Sequence, residues 1–448
     1  MEKDLTAGSV FGNILSFSLP YLFSYFLQTL YGMADLFIVG QFHGVAQITA
    51  VSVGSQVMHM LTVMVVGLAM GSTVTIGRAV GAKQQGQAAL AVGNTVLLFM
   101  GVSVAATAIL LVLVRPIVTA VSTPAQAVQG TILYLTICFL GIPFITAYNI
   151  ISAIFRGLGD SKSPMYFIAV ACGTNIALDY LLIGVFHLGA KGAALGTTLS
   201  QTISVAVALY VICKGKALPM EKKHFTLKPE VMGQMLRIGV PVALQDGFIQ
   251  IAFLVVTVIA NRRGLNDAAA VGIVEKVIGI VFLVPSTMLS AVSALSAQNI
   301  GAGKHGRAAL TLRYAIFIAV GFGLLTSTLA QFAAEPVVGL FTGEPEVMLL
   351  GGQYLKGYIW DCLFAGMHFC FSGYFCAYGK SGISFLHNFL SIILMRVPGA
   401  YFASKYFADT LFPMGLAAPA GSLLSVAICA LAFLWMKKTV ISKDMAIK

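Results

Sequence analysis

Long runs of apolar residues dominate the chain and recur twelve times. Within each run apolar residues continue for more than twenty positions, without the alternation that a membrane β-strand shows. About 20 helical residues cross a hydrocarbon core of roughly 30 Å, and a helix satisfies its own backbone hydrogen bonds there. The pattern predicts an all-α polytopic membrane protein with transmembrane helices over residues 13–39, 48–77, 89–114, 129–154, 164–187, 191–213, 235–260, 268–299, 308–334, 350–377, 382–404 and 412–436.

Composition supports this prediction and narrows the class of protein. Of the 448 residues, 58% are hydrophobic and 10% are charged, whereas soluble domains carry about 25% charged residues. These values exclude a soluble enzyme, a disordered tail and a nucleic-acid-binding protein, and they predict that the chain is embedded in the lipid bilayer. The seven cysteines lie mostly inside apolar runs and form no CxxC pair, which indicates packing residues rather than disulfides or a metal site.

The distribution of Lys and Arg predicts the orientation of the chain in the membrane. The net charge is +11, and the basic residues lie mainly between the apolar runs. With a cytoplasmic N-terminus, nineteen Lys and Arg residues fall inside and six fall outside. Because positive charge accumulates on the cytoplasmic side, we expect both termini to be cytoplasmic.

An internal repeat divides the twelve helices into two halves. Gly81-Ala82, Gly86 and Ala88-Ala89-Leu90 recur 220 residues later as Gly301-Ala302, Gly306 and Ala308-Ala309-Leu310. Six spans per half give both halves the same orientation, so we expect a pseudo-twofold axis along the membrane normal, as in two-bundle transporters. The predicted domains are an N-terminal six-helix bundle (1–213), a cytoplasmic linker (214–234), a C-terminal six-helix bundle (235–436) and a cytoplasmic tail (437–448).

Two acidic residues lie inside predicted spans of the first half. An acid in hydrocarbon is costly, so Asp35 and Asp179 indicate function. Asn175 and Asp179 share one helix face, and Asn149 and Thr197 could supply further oxygens. Counted in residues from the ends of the spans, Asn149 lies deeper in the membrane than the others. Two neighbouring carboxylates would titrate together and bind a proton, or their oxygens would bind Na⁺; no other metal is expected.

The second half carries a different set of polar residues within its spans: Asp246, Gln250, Glu275, Lys276 and Arg396. Adjacent residues point about 100° apart, so Glu275 and Lys276 do not face each other, and either could pair across helices with Asp246 or Arg396. Two interpretations remain open: an internal salt-bridge network or a surface that faces substrate. In the first span, Pro20 precedes Asp35 by 15 residues and predicts a kink.

Three motifs make the chain resemble the multidrug and toxic compound extrusion (MATE) family. They are Pro20 with Asp35-Leu36-Phe37-Ile38-Val39-Gly40, the loop Gly77-Arg78-Ala79-Val80-Gly81-Ala82-Lys83, and Phe155-Arg156-Gly157-Leu158-Gly159-Asp160-Ser161-Lys162. The first-half acids resemble the DinF-type branch, which implies a cation site at Asp35, Asn149, Asn175, Asp179 and Thr197, with the helix-1 proline at Pro20. The second half departs from the NorM branch, which has an acid on helix 7 and another on helix 10. In this chain the helix-7 position falls on Gln250 or its neighbour, and the helix-10 region near Ala365 contains no acid.

The resemblance implies a secondary active efflux antiporter in a bacterial-type plasma membrane. It would export organic, cationic amphipathic compounds by alternating access, in exchange for H⁺ or Na⁺, as a monomer without a cofactor. The chain contains no GxxxxGK[ST] phosphate loop, so no nucleotide is expected. The alternatives are a flippase for a lipid-linked or anionic amphipathic substrate, which Lys276 and Arg396 keep open, a major-facilitator-type transporter and a membrane receptor.

Overall fold

The structure is a computed structural model that describes residues 4–214 and 221–441. Within those two ranges it is helical almost throughout and contains no β-strand. The predicted linker and tail lie partly outside the described residues, which omit 215–220 and 442–448.

Helices of the first half follow the predicted spans, and a π-helical turn, Tyr180–Val185, continues the fifth. The helices are α1 (Val10–Phe42), α2 (Val45–Gly81), α3 (Gln85–Ala120), α4 (Val128–Leu140), α5 (Ile142–Gly157), α6 (Lys162–Asp179) and α7 (Gly189–Lys214).

The second half repeats this order after a short 3₁₀ turn, Lys222–Phe225. A π-helical turn, Ile392–Arg396, lies within its fifth span, and another, Lys437–Ile441, ends the described chain. The helices are α8 (Pro229–Asn261), α9 (Leu265–Val281), α10 (Leu283–Gly301), α11 (His305–Gly339), α12 (Pro345–Tyr358), α13 (Asp361–Ala377), α14 (Ser381–Ser391), α15 (Val397–Tyr406), α16 (Phe412–Gly415) and α17 (Ala417–Met436).

Several predicted spans consist of more than one helical segment, and two of them do not form a single long apolar run. The span predicted over 129–154 bends by 52° between α4 and α5, at Gly141. Pro143 follows at the start of α5 and has no backbone N–H to continue the hydrogen-bond ladder of α4. The span predicted over 350–377 consists of α12 and α13, which are separated at Ile359 and Trp360. Ten of the described helical runs are long and apolar enough to cross a membrane alone, and the bent pair adds an eleventh. The predicted all-α polytopic fold is confirmed.

The helices group into two compact units. Unit 1 contains Ser16–Gly239, whereas unit 2 contains Leu5–Leu15 and the described chain from Val240 onward. The unit boundaries therefore differ from the predicted domain boundaries at 213 and 235. Residues 5–15 group with unit 2 because Leu5 N–H donates to Gln298 (3.1 Å) and Lys304 donates to the Thr6 carbonyl (2.9 Å). The beginning of α8 groups with unit 1, where Met235 packs beside Gly71.

The repeat is visible in the loops that end equivalent helices. After α2, Lys83 has a left-handed backbone (φ 58°), and 220 residues later Gly303 has φ 72° after α10. Gly159 and Gly379 form a second such pair, with φ 85° and 69°. In both pairs the following N–H closes the helix end on a carbonyl five residues before it. The two halves therefore share local backbone geometry as well as sequence.

Candidate cation site

Four of the five predicted cation ligands meet inside unit 1. Asp35 comes from α1, Asn175 and Asp179 from α6, and Thr197 from α7. The Thr197 hydroxyl donates to Asp35 Oδ2 (3.1 Å), and Asp35 lies within interaction range of both Asp179 and Asn175. Three helices thus bring two carboxylates, an amide and a hydroxyl to one place.

Local structure explains how the two acids come so close. Asn175 and Asp179 are one helical turn apart on α6, and Asp179 is the last α-helical residue before the π-helical turn. Gly196 on α7 lies against the Asp179 carboxylate, where a Cβ would collide with Oδ1. The missing side chain of Gly196 therefore makes room for the carboxylate of Asp179.

The site is buried and its oxygens are poorly satisfied. Asp35 is 3% exposed, and Asp179 and Asn175 are 0% exposed. Asp35 Oδ1, both Asp179 carboxylate oxygens and both polar side-chain atoms of Asn175 find no hydrogen-bond partner among the described residues. Two buried carboxylates without a counter-charge are costly, so the arrangement favours binding of a proton or another small cation.

The donor set suits either a proton or Na⁺. Carboxylate, amide and hydroxyl oxygens are the ligands that hard cations prefer, and a shared proton would relieve the repulsion between two adjacent carboxylates. The residues therefore fit both coupling ions that the sequence left open.

The hydrogen bonds of Asn149 and Pro20 lie within their own helices. The Asn149 side chain is buried in α5 and donates to the Ile145 carbonyl (2.8 Å), one turn back on its own helix. Pro20 lies inside α1, which runs on through it, and its carbonyl accepts a hydrogen bond from the Ser24 hydroxyl (2.9 Å).

Sequence reasoning missed several residues around Asp35. Tyr31 lies one turn before Asp35 on α1, within interaction range of Asp35 and of Gln201. Gln201 in turn lies one turn after Thr197 on α7. The spacing of four residues from two predicted ligands is the signal that would have found Tyr31 and Gln201.

In unit 2 the predicted polar residues form a different cluster. The guanidinium of Arg396 lies 4.5 Å from the centre of the Phe253 ring and donates to the Tyr358 hydroxyl. Its charge interacts with Glu275 and with Asp361, a buried acid at the start of α13. Phe253, Glu275, Tyr358 and Arg396 line one small cleft together with Tyr354.

The remaining predicted residues of unit 2 lie apart from or at the edge of this cluster. Glu275 accepts a hydrogen bond from Thr257 (3.2 Å), whereas its neighbour Lys276 is exposed on another face of α9. Asp246 is half-buried on α8 and interacts with Cys376, and Gln250, one turn further, is also half-buried. Of these two neighbours, Glu275 is the one whose charge interacts with that of Arg396.

Comparisons with known proteins agree with the fold. The MatE family model matches residues 20–181 and again 241–402, once in each half. The chain is 28% identical to the probable multidrug resistance protein YpnP of Bacillus subtilis, over 92% of this chain and 93% of that protein. It is 24% identical to the probable multidrug resistance protein NorM of Thermotoga maritima, covering 96% and 94%.

Among solved structures, the chain resembles a crystal structure of MATE in complex with MaL6. The TM-score is 0.90 at 22% identity, and the match covers 99% of each chain. The family model alone accounts for well over half of the residues, in two copies that coincide with the repeat. The chain therefore belongs to the MatE family, the multidrug and toxic compound extrusion family that its motifs resemble, and it is a membrane transporter rather than an enzyme.

Proposed function

We propose that the chain is a secondary active antiporter that exports organic, cationic amphipathic compounds in exchange for H⁺ or Na⁺. One observation carries the proposal. The buried acids Asp35 and Asp179 lie together, and three of their four carboxylate oxygens have no hydrogen-bond partner among the described residues. A purely structural cluster would be expected to pair such charges, whereas a cation site must leave them available.

Exchange requires the ion and the substrate to favour different conformations or to exclude one another. Asp35 and Asp179 come from different helices, so a bound cation draws α1 and α6 together and an empty site lets their charges repel. Pro20 has no backbone N–H, so α1 lacks one helical hydrogen bond 15 residues before Asp35. We place a bend of α1 at this position.

The substrate class and the location in the cell rest on the relatives and on charge. YpnP and NorM are named as probable multidrug resistance proteins of bacteria, which supports small organic substrates and a bacterial plasma membrane. The asymmetry of Lys and Arg supports cytoplasmic termini, so that the end of α1 beyond Asp35 faces outward. A monomer holds all four clustered ligands within unit 1.

Efflux of a fluorescent organic cation from proteoliposomes tests the proposal. A pH gradient and a Na⁺ gradient are imposed separately on the parent chain, on Asp35→Asn and on Asp409→Asn, a control that removes an exposed acid. We expect one gradient to drive efflux in the parent and in Asp409→Asn, and neither gradient to drive it in Asp35→Asn.

Two outcomes would contradict the proposal. If Asp35→Asn retains gradient-driven efflux, the coupling ion binds elsewhere. If no gradient moves the dye through the parent chain, the exported compound is not an organic cation, and a lipid-linked or anionic amphipathic substrate becomes the next class to assay.

A further inference from the structure

Arg156 is the one Lys or Arg side chain among the described residues that is buried, and the proposed function does not use it. It lies one residue before the end of α5 and is 4% exposed. The predicted orientation places it at the cytoplasmic end of the fourth span. Arginine is almost never fully buried unless it is paired, so its surroundings need an explanation.

The guanidinium of Arg156 lies among other buried polar side chains of unit 1. Tyr148, Ser152 and Arg156 follow one another at intervals of four residues, so they share one face of α5. Tyr148 lies within interaction range of Ser152 and of Arg156. From α1, the centre of the buried Tyr21 ring lies 5.2 Å from Cζ of Arg156. One guanidinium and three side chains with hydroxyl groups are therefore gathered in one region.

The end of α5 that carries Arg156 is held firmly against α2. The Thr73 hydroxyl donates to the Ala153 carbonyl (3.0 Å), and a Cβ on Gly157 would stand 2.9 Å from the Thr73 carbonyl oxygen. Because the backbone is packed this closely, a shift of the helix cannot bring Arg156 to a partner elsewhere.

The charge of Arg156 has no ionic partner in the part of the chain that the structure describes. Its Nε is buried without a hydrogen-bond partner among the described residues, and the same holds for the Ser152 hydroxyl oxygen. None of the ion pairs within the described ranges includes Arg156. The Tyr21 ring offsets part of the charge through a cation–π contact, but it supplies no oxygen for the in-plane N–H groups.

The acids of α1, α6 and the loop after α5 interact with other groups. Asp160, four residues beyond Arg156, accepts the backbone N–H groups of Lys162 and Ser163 (2.9 and 3.1 Å). The two acids of the candidate cation site interact with one another and not with Arg156. Burial of a charge without a partner is costly, so this charge is left for a ligand to compensate.

We propose that Arg156 and Ser152, together with Tyr21 and Tyr148, bind the phosphate group of an anion that comes from the cytoplasmic side. The planar guanidinium donates to two phosphate oxygens, and the hydroxyl groups donate to the others. Inorganic phosphate and the headgroup of an anionic lipid such as phosphatidylglycerol both offer this group.

The position of Tyr21 gives the anion a route to the guanidinium. Tyr21 directly follows Pro20, where α1 lacks one helical hydrogen bond, so a small bend of α1 at this point moves the ring away from Arg156. The phosphate site is separate from the acids of the candidate cation site. It therefore depends neither on the coupling ion nor on the exported compound.

Thermal unfolding of the purified full-length chain in dodecyl maltoside tests the proposal without a transport assay, because a ligand of the folded state raises the unfolding midpoint. Inorganic phosphate and phosphatidylglycerol are titrated separately in Tris-chloride buffer at constant ionic strength, with diacylglycerol as the lipid that lacks phosphate. We expect at least one phosphate probe, and not diacylglycerol, to raise the midpoint of the parent. Arg156→Met should bind that probe at least tenfold more weakly. Ser152→Ala should bind it about fivefold more weakly, since it loses one hydrogen bond.

Lys162→Met is the matched control, because it removes an exposed positive charge six residues away. It should respond as the parent does, and so should Asp35→Asn, whatever its efflux. A response to inorganic phosphate supports a site for the ion itself, and a response to phosphatidylglycerol alone supports a lipid site.

Three results would overturn the proposal. They are a parent midpoint that neither phosphate probe raises, equal responses of Arg156→Met and the parent, and an equal loss of response in Lys162→Met and Arg156→Met. If Arg156→Met does not fold, Ser152→Ala decides, because it removes only a hydroxyl group; parent-like affinity in that variant would then contradict the site.

Discussion

Units 1 and 2 share a repeat but surround their buried acids with different charges. In unit 1, Asp35 and Asp179 face one another, and three of their four carboxylate oxygens have no partner among the described residues. In unit 2, Glu275 and Asp361 share the field of Arg396, which also stacks over Phe253. No basic side chain influences the acids of unit 1, whereas those of unit 2 lie in the field of Arg396, although Asp361 Oδ1 also has no hydrogen-bond partner among the described residues.

This contrast predicts different roles for the two sets of acids, ion coupling in unit 1 and structural stability in unit 2. A buried acid without a counter-charge is stabilised only when a cation binds, so the fraction of sites that are occupied depends on the ion concentration. A buried acid beside an arginine is already neutralised, and removing either partner leaves an uncompensated charge. The interpretation of unit 2 as an internal network stays a prediction, which the charges near Arg396 support.

The largest expected effect is the loss of coupling in Asp179→Asn. The substitution halves the negative charge at the ion site, so we expect no efflux driven by either gradient in proteoliposomes. Asp361→Asn is the counterpart in unit 2 and should retain gradient-driven efflux per folded molecule. Loss of efflux in Asp361→Asn as well would show that both units couple.

The next largest expected effect is a loss of stability, and it concerns unit 2 instead of unit 1. Arg396→Met leaves Glu275 and Asp361 without their cation, which should cost about 3 kcal/mol of unfolding free energy. Denaturant unfolding in detergent measures this cost. Adding Glu275→Gln to Arg396→Met should recover part of it; a double variant no more stable than Arg396→Met would show that Glu275 does not depend on Arg396.

Gly196→Ala should reduce coupled efflux about tenfold, the equivalent of about 1.4 kcal/mol. A methyl group on Gly196 meets the Asp179 carboxylate and must displace it. Gly173→Ala, on α6 with open space around the glycine, is the control and should leave efflux unchanged. Equal losses in the two variants would point to general helix damage instead of displacement of Asp179.

The smallest expected effect comes from a pair of hydroxyls. Thr197 donates to Asp35 in unit 1, and Thr257 donates to Glu275 in unit 2. Thr197→Val should weaken binding of the coupling ion about fivefold, since a hydrogen bond contributes about 1 kcal/mol. Thr257→Val should leave ion affinity unchanged. The half-maximal ion concentration for efflux checks both, and equal shifts would contradict the assignment of the ion to unit 1.

The overall fold could be predicted because few backbone conformations are possible in hydrocarbon. An apolar run of more than twenty residues must be helical to satisfy its own backbone hydrogen bonds, so its structure follows without knowledge of the helices that pack against it. The bend at Gly141 could not be predicted with the same security. Pro143 is tolerated in the first turn of a helix as well as at a kink, and only packing decides which of the two occurs.

The candidate site was predictable only where its chemistry is rare within the membrane. Asp35 and Asp179 are conspicuous because acids seldom occur in apolar runs, and Asn175 follows from its spacing. Asn149 illustrates the opposite case, since an amide inside a helix can equally well bond to its own backbone, as it does to Ile145. Gly196 has no side chain, so the sequence alone does not indicate that it makes room for the carboxylate of Asp179.

The fifth span of each half contains a π-helical turn. Such a turn closes its hydrogen bonds over five residues instead of four, so it changes the direction in which the neighbouring side chains point. The two turns stand at different places in the span, one directly after Asp179 and the other ending at Arg396. Each turn therefore adjoins the charged residue that distinguishes its half. A local change in helical winding is thus enough to aim an acid inward in one half and an arginine in the other.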